Sequence, residues 1–137
     1  MPTSKEFAIQ LEDRPGKLAK LTKALADKGV NIVGFQSTPI EGNNSQVRFI
    51  VDNPTTAKAV LDLEHMSYKE NEVALAKLPH RPGALSRAAS QLADSNINID
   101  YGYCGVDATT NTPLLIFGVA DAAKAASILD RVSVAAA

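Results

Sequence analysis

Leu11-Glu12-Asp13-Arg14-Pro15-Gly16-Lys17-Leu18 and Leu78-Pro79-His80-Arg81-Pro82-Gly83-Ala84-Leu85 are one pattern written twice in a single chain. The spacing is 67 positions (81 − 14). At the same spacing Leu25, Ala26, Asp27, Asn31 and Ile32 return as Leu92, Ala93, Asp94, Asn98 and Ile99. A unit of about 65 residues is marginal by itself, because so small a domain buries too little of its chain. Two such units sharing surface, or further oligomerisation, is the physical remedy. A loop kept in both copies is the first place to look for a site.

Working outward from that loop, Phe7 to Leu11 alternates as a strand does. Asp13-Arg14-Pro15-Gly16 turns the chain, and proline suits a helix's first turn. Lys17 to Lys28 reads as a helix with Leu18, Leu21 and Leu25 on one stripe. Gly29 is its left-handed stop, and Asn96 stands at the matching place in copy two. Asn is the other residue that tolerates that conformation, so the change of letter keeps the backbone rule.

The pattern continues with strands Asn31 to Pro39 and Gln46 to Val51, joined by the turn Glu41-Gly42-Asn43-Asn44. Asn53-Pro54 starts a second helix, Thr55 to about Glu64, as cap and first helical residue. Tyr68 to Glu72 is a fourth strand. Copy two predicts a strand from Val73, a helix from Ala84 to Ser95, and strands Ile99 to Val106 and Leu114 to Val119. The spacing then slips to 68, with Asp121 as the second cap (121 − 53).

The order is β-α-β-β-α-β, with domains expected at 1–72 and 73–137. No Gly or Pro interrupts Tyr68 to Leu78, so the fourth strand of copy one should run into the first of copy two with little or no turn. The second copy ends at Ala137, without room for a full fourth strand. That predicts an incompletely covered sheet edge and a second chain to cover it.

Composition removes several classes of function. The chain is 45% hydrophobic and 21% charged, an ordinary globular balance. Fourteen Lys+Arg against fifteen Asp+Glu, with no run of like charge, gives no footprint for nucleic acid. A single cysteine, Cys104, rules out an internal disulfide and a Cys-cluster metal site. No apolar stretch reaches the roughly 20 residues of a membrane span, and residues 1–6 lack a signal's apolar core, so the expected location is cytoplasmic. No Ser-His or Cys-His motif, Walker loop or dinucleotide fingerprint occurs. The chain is expected not to be an enzyme, and to need no cofactor or metal.

The unit, with its short Pro-Gly turn after the first strand, resembles the ACT domain, the small ligand-sensing module of amino-acid metabolism. The residues that carry the likeness are Asp13-Arg14-Pro15-Gly16-Lys17-Leu18 with Gly29-Val30-Asn31-Ile32, and His80-Arg81-Pro82-Gly83-Ala84-Leu85 with Asn96-Ile97-Asn98-Ile99. It covers nearly the whole chain and is similar to free-standing tandem ACT proteins of bacteria. The resemblance implies an α+β fold of two tandem ferredoxin-like units, antiparallel sheets with helices on one face. It also implies paired domains, a homodimer or higher homo-oligomer, and an amino acid bound at an interface between domains or subunits. Asp13 and His80 stand where serine-sensing members carry a ligand-binding Asn. Gly16 and Gly83 match the glycine that lets backbone approach the ligand, and Asn31 and Asn98 match an Asn that reaches a neighbouring domain's ligand.

The chemistry suits a zwitterion. A carboxylate is held by backbone N–H groups at a helix start, where the macrodipole is also favourable. Gly16-Lys17-Leu18 and Gly83-Ala84-Leu85 are placed to supply them, beside Arg14, Arg81, Ile32 and Ile99. Asp13, Asn31 and Asn98 offer acceptors to an ammonium. His80 accepts when neutral and donates when charged, so binding there should vary with pH.

Plainer readings stand beside these. Asp13 either caps the first helix or meets ligand. Arg14 and Arg81 are solvated turn residues if the loop is only structural, and Asn31 and Asn98 then satisfy local backbone. Cys104 is expected to be a small buried residue, Tyr101 and Tyr103 packing or interface residues, and Gly34, Gly102 and Gly105 sites of a bulge or a close approach. Two functions follow: a regulatory sensor of a small amino acid, acting on an unidentified protein partner or on its own oligomeric state, or an interaction protein whose site has decayed.

Overall fold

The computed structural model describes residues 3–131. Among them are six strands and four helices: β1 (Thr3–Glu12), α1 (Lys17–Asp27), β2 (Ile32–Ile40), β3 (Asn44–Val51), α2 (Pro54–Leu63), β4 (Tyr68–Lys77), α3 (Ala84–Asp94), β5 (Tyr101–Asp107), β6 (Thr112–Gly118) and α4 (Ala122–Leu129). The fold is α+β. The described residues form two compact units, Lys5–Asn71 and the stretch from Glu72 onward with the start of β1. The strands expected at Tyr68 and at Val73 are one: β4 runs unbroken from Tyr68 to Lys77. The expectation of a missing last strand falls on residues 132–137, which lie outside the described residues.

In the unit Lys5–Asn71, β3 lies between β1 and β2 and is antiparallel to both, with Phe7 and Phe35 opposite Phe49. Strand alternation sends Phe7, Ile9, Val47 and Phe49 to one face. There they pack on Leu21 and Leu25 of α1 and on Ala57, Val60 and Leu61 of α2. The Phe7 ring centroid lies 5.7 Å from that of Phe49 and 5.6 Å from that of Tyr68. Lys5 and Lys58 close on Glu70 at 2.8 and 3.6 Å, joining β1 and α2 to β4. That pairing, Lys5 first, holds the Glu70 carboxyl below its ordinary range.

The unit from Glu72 repeats the arrangement. Strand β6 lies between β4 and β5, with Ala74 and Gly102 opposite Phe117. Its core is Ala74, Ala76 and Phe117 against Ala88 and Leu92 of α3 and Ala125, Ala126, Ile128 and Leu129 of α4. Register also locates the slip in spacing. Phe35 and Gly102 differ by 67 (102 − 35), while their partners Phe49 and Phe117 differ by 68 (117 − 49). The extra residue therefore sits in the second hairpin turn, 108–111 against 41–43.

Local rules explain the helix ends. Asn53 accepts from the Thr56 amide with Pro54 in the first turn, and Asp121 accepts from Lys124. Gly29 (φ 73) and Asn96 (φ 59) take the left-handed stop expected of them, and His65 (φ 56) ends α2 in the same way. A register shift lies between Ile32 and Gly34, where an irregularity was expected. Two expectations need correction. Strand β5 begins at Tyr101 rather than Ile99, because the side chain of Asn98 donates to Asp100 (2.9 Å) while the Asp100 amide is already bound to Gly118. Cys104 is exposed, not buried. Alternation along β5 puts Tyr101 and Tyr103 on the half-buried face and Gly102, Cys104 and Val106 on the open one.

Among the described residues no helix is long and apolar enough to cross a membrane.

Candidate functional site

The two Arg-Pro-Gly turns have one backbone geometry. Gly16 (φ 92, ψ −16) and Gly83 (φ 90, ψ −11) are the residues that begin α1 and α3, both left-handed. In the first turn the Arg14 amide donates to Glu12 (3.0 Å), Lys17 to Arg14 (3.4 Å) and Lys20 to Gly16 (3.0 Å). In the second, Arg81 donates to Pro79 (3.0 Å), Ala84 to Arg81 (3.3 Å) and Arg87 to Gly83 (2.9 Å). A left-handed residue at this place favours glycine on backbone grounds alone. Nothing lies within 4 Å of where a Cβ would stand at either glycine, so the space beside each is open.

Neither helix has a side-chain cap. This corrects the capping alternative for Asp13: its amide donates to the Asn43 carbonyl at 2.7 Å, and Gly16 occupies the cap position. The amides of Leu18 and Ala19, and of Leu85 and Ser86, have no acceptor among the described residues. Each turn therefore presents unsatisfied donors at the positive end of a helix dipole.

The side chains around these donors differ. At the first turn Glu12 lies 3.3 Å from Arg14 Nε and 3.3 Å from Lys17 Nζ. The chain supplies its own carboxylate to the basic groups there. At the second turn Pro79 replaces Glu12 and Ala84 replaces Lys17 (84 − 17). Arg81 and Arg87 have no ion-pair partner among the described residues. They line a hollow of about 80 Å³ with Leu78, Pro79, Pro82, Gly83 and Ala84. Two guanidinium groups beside free helix-start amides attract an anion, and the planar fork of Arg matches a carboxylate.

Of the residues singled out by sequence, Arg81, Gly83 and Ala84 meet at this hollow, and Arg14, Gly16 and Lys17 meet at the first turn. His80 and Leu85 are exposed and outside the hollow's lining. Leu18 and Ile32 pack on the first core, and Ile99 on the second. Asn31 precedes β2. Its amide donates to Asp52 Oδ1 (3.0 Å) and its carbonyl accepts from the Asp52 amide (3.1 Å), so its backbone is fixed and its exposed side chain is left over. Asn98 spends an amide proton on Asp100. Sequence reading missed Arg87. The signal was its place one helical turn after Gly83, on the face that overlooks the turn.

Residues 7–64 match the family model of the ACT domain. No curated protein matches the chain. Among solved structures, the chain is similar to protein BT0572 from Bacteroides thetaiotaomicron, with a TM-score of 0.81 at 23% identity over 94% of this chain and 88% of that one. It is also similar to the ligand-free regulatory subunit of aspartate kinase from Thermus thermophilus, with a TM-score of 0.63 at 18% identity over 96% and 92%. Against the aspartokinase alpha and beta subunits the TM-score is 0.63 at 13% identity, again over 96% and 92%. At these identities the likeness is one of fold.

Proposed function

We propose that this chain is a regulatory protein, not an enzyme, built as a tandem pair of ACT units that binds a small amino acid at its Pro-Gly turns. The observation that carries the reading is the hollow at Gly83, where Arg81, Arg87 and unsatisfied helix-start amides converge with no carboxylate of the chain's own. An amino acid's carboxylate is the group such a place holds. The ACT domain at residues 7–64 and the fold shared with a regulatory subunit of aspartate kinase support a sensing role. In this reading His80 and Asn98 meet the ligand's remaining groups at the second turn, Asp13 and Asn31 are their counterparts at the first, and a second subunit completes the enclosure of so shallow a site. Binding then shifts a subunit equilibrium, which is how a ligand without chemistry regulates.

A second reading has its own observation. Glu12 already satisfies Arg14 and Lys17, so the first turn behaves as a site filled from within. If the second turn is also silent, the protein is an interaction module without a ligand.

A thermal-shift screen of the twenty amino acids separates the two. A ligand present at 100 times its dissociation constant stabilises by about 2.7 kcal/mol. Arg81→Gln or Arg87→Gln should weaken that ligand about tenfold or more, since a charge-assisted bond is worth about 1.5–3 kcal/mol. Arg14→Gln should leave it nearly unchanged. If no amino acid moves the melting curve at millimolar concentration, the sensor reading falls. Sedimentation with and without ligand tests the subunit step.

A further inference from the structure

The face of the first sheet turned away from α1 and α2 holds several polar side chains. Ala8 lies opposite Arg48, and Gln10 opposite Gln46. Glu6, on the same face by strand alternation, is fully buried (0% exposed). Its carboxylate accepts from Asn71 Nδ2 at 3.1 Å and lies 3.8 Å from Arg48 Nη1. In the unit from Glu72 the same register positions are Leu75 opposite Ile116 and Lys77 opposite Leu114, with Val73 in the place of Glu6. Val73, Leu114 and Ile116 are buried. At these equivalent positions one unit carries Val73, Leu75, Leu114 and Ile116 with the charged Lys77, and the other carries a buried Glu6 beside a part-exposed Arg48. Burying a carboxylate carries a desolvation penalty that an apolar residue avoids.

A hollow of about 510 Å³ opens on this face, entirely within Lys5–Asn71. Its polar lining is Gln10, Gln46, Arg48, Ser67, Lys69 and Asn71. The volume falls in the range of small-molecule sites. Arg48 lines the hollow with its guanidinium 3.8 Å from the Glu6 carboxylate. Lys69 carries a charge with no ion-pair partner among the described residues. No carboxylate lines the hollow. The amides of Gln10 and Gln46 and the hydroxyl of Ser67 have no side-chain partner among the described residues and offer both donors and acceptors.

We propose that this hollow is a second binding site, separate from the glycine turns, for a small organic anion. Its carboxylate or phosphate is held by Arg48 and Lys69, and its hydroxyl or amide groups by Gln10, Gln46 and Ser67. The two cations set the sign of the ligand, and the neutral groups select a polar body over an apolar one.

The test is titration of the full chain with inorganic phosphate, malonate and glucose 6-phosphate, followed on backbone amides by NMR. At millimolar concentration at least one probe should move the signals of Gln46, Arg48, Lys69 and Asn71. Glucose 6-phosphate should bind more tightly than phosphate if the neutral groups contribute. Lys69→Ala should weaken binding about tenfold. The double change Glu6→Val with Arg48→Ile writes the second unit's residues into the first, so the chain should keep its cooperative melting and lose the response. If that double variant does not fold, Lys69→Ala decides alone. The proposal is overturned if no probe moves these signals, if Lys69→Ala or the double variant binds as wild type does, or if the response centres on Arg81 and Arg87 instead.

Discussion

Phe7 faces Phe49 across one sheet, and at the same register position in the other unit Ala74 faces Phe117. Glu12 pairs with Arg14 and Lys17 at the first glycine turn, and Pro79 stands at its place in the second. Glu6 is buried where Val73 is buried. The two units agree in element order, pairing and turn dihedrals, yet differ in what fills them. Backbone geometry is set by hydrogen-bonding pattern and periodicity, which many residues satisfy. Side-chain chemistry at an equivalent place is then free to change. The difference between the units therefore separates what the fold needs from what a function would need.

Writing one unit's residue into the other tests this, and the largest effect is expected in the core. Phe7→Ala copies Ala74 into the first unit. It should cost about 3–5 kcal/mol in chemical denaturation, since the alanine-rich core has its own small partners and the first core has none to fill the gap. A loss below about 1 kcal/mol would mean that the cores interchange, against the packing seen here. Next come Gly16→Ala and Gly83→Ala, each expected to cost about 1–2 kcal/mol because an L-residue is strained at these dihedrals. Their costs should be equal, as neither Cβ meets anything. Unequal costs would show that the turns are not the same backbone device.

The smallest effect is electrostatic. Asp107, in the second unit, is held below its ordinary 3.8 by a hydrogen bond from Thr110 and by Lys77 at 2.9 Å. A depressed carboxyl stabilises the folded chain above that ordinary value and loses its contribution as pH falls through the folded one. Asp107→Asn should therefore lower the melting temperature at neutral pH. The gap from wild type should close as pH drops below about 4. A gap that stays constant down to pH 2 would assign the effect to packing instead.

What could be read from sequence was whatever depends on near neighbours. The stripe Leu18, Leu21, Leu25, the caps Asn53 and Asp121 and the stops Gly29 and Asn96 each follow from a rule spanning a few residues. The turn residues at the candidate site were legible for the same reason. Pairing across long separations was not. Glu6 reads as a charged residue at the start of a strand, and its burial depends on Arg48 and Asn71, the latter 65 positions away. Glu12 was passed over because its bonds to Arg14 and Lys17 depend on how the turn folds. The start of β5 was misread because Asn98 and Asp100 hydrogen-bond to each other before the strand begins.

The extra residue in the second hairpin has a practical corollary. The first hairpin loop grips the Asp13 amide through the Asn43 carbonyl, so lengthening it would disturb the glycine turn beside it. Among the described residues no such grip joins Asn111 to His80, and the Asn111 amide donates to the Asp107 carbonyl within its own loop. That loop is one residue longer than the first, and the register of β5 on β6 runs without a shift. A reporter peptide inserted between Ala108 and Thr109, clear of the Thr110 hydroxyl that holds Asp107, should leave the pairing of β5 with β6 intact.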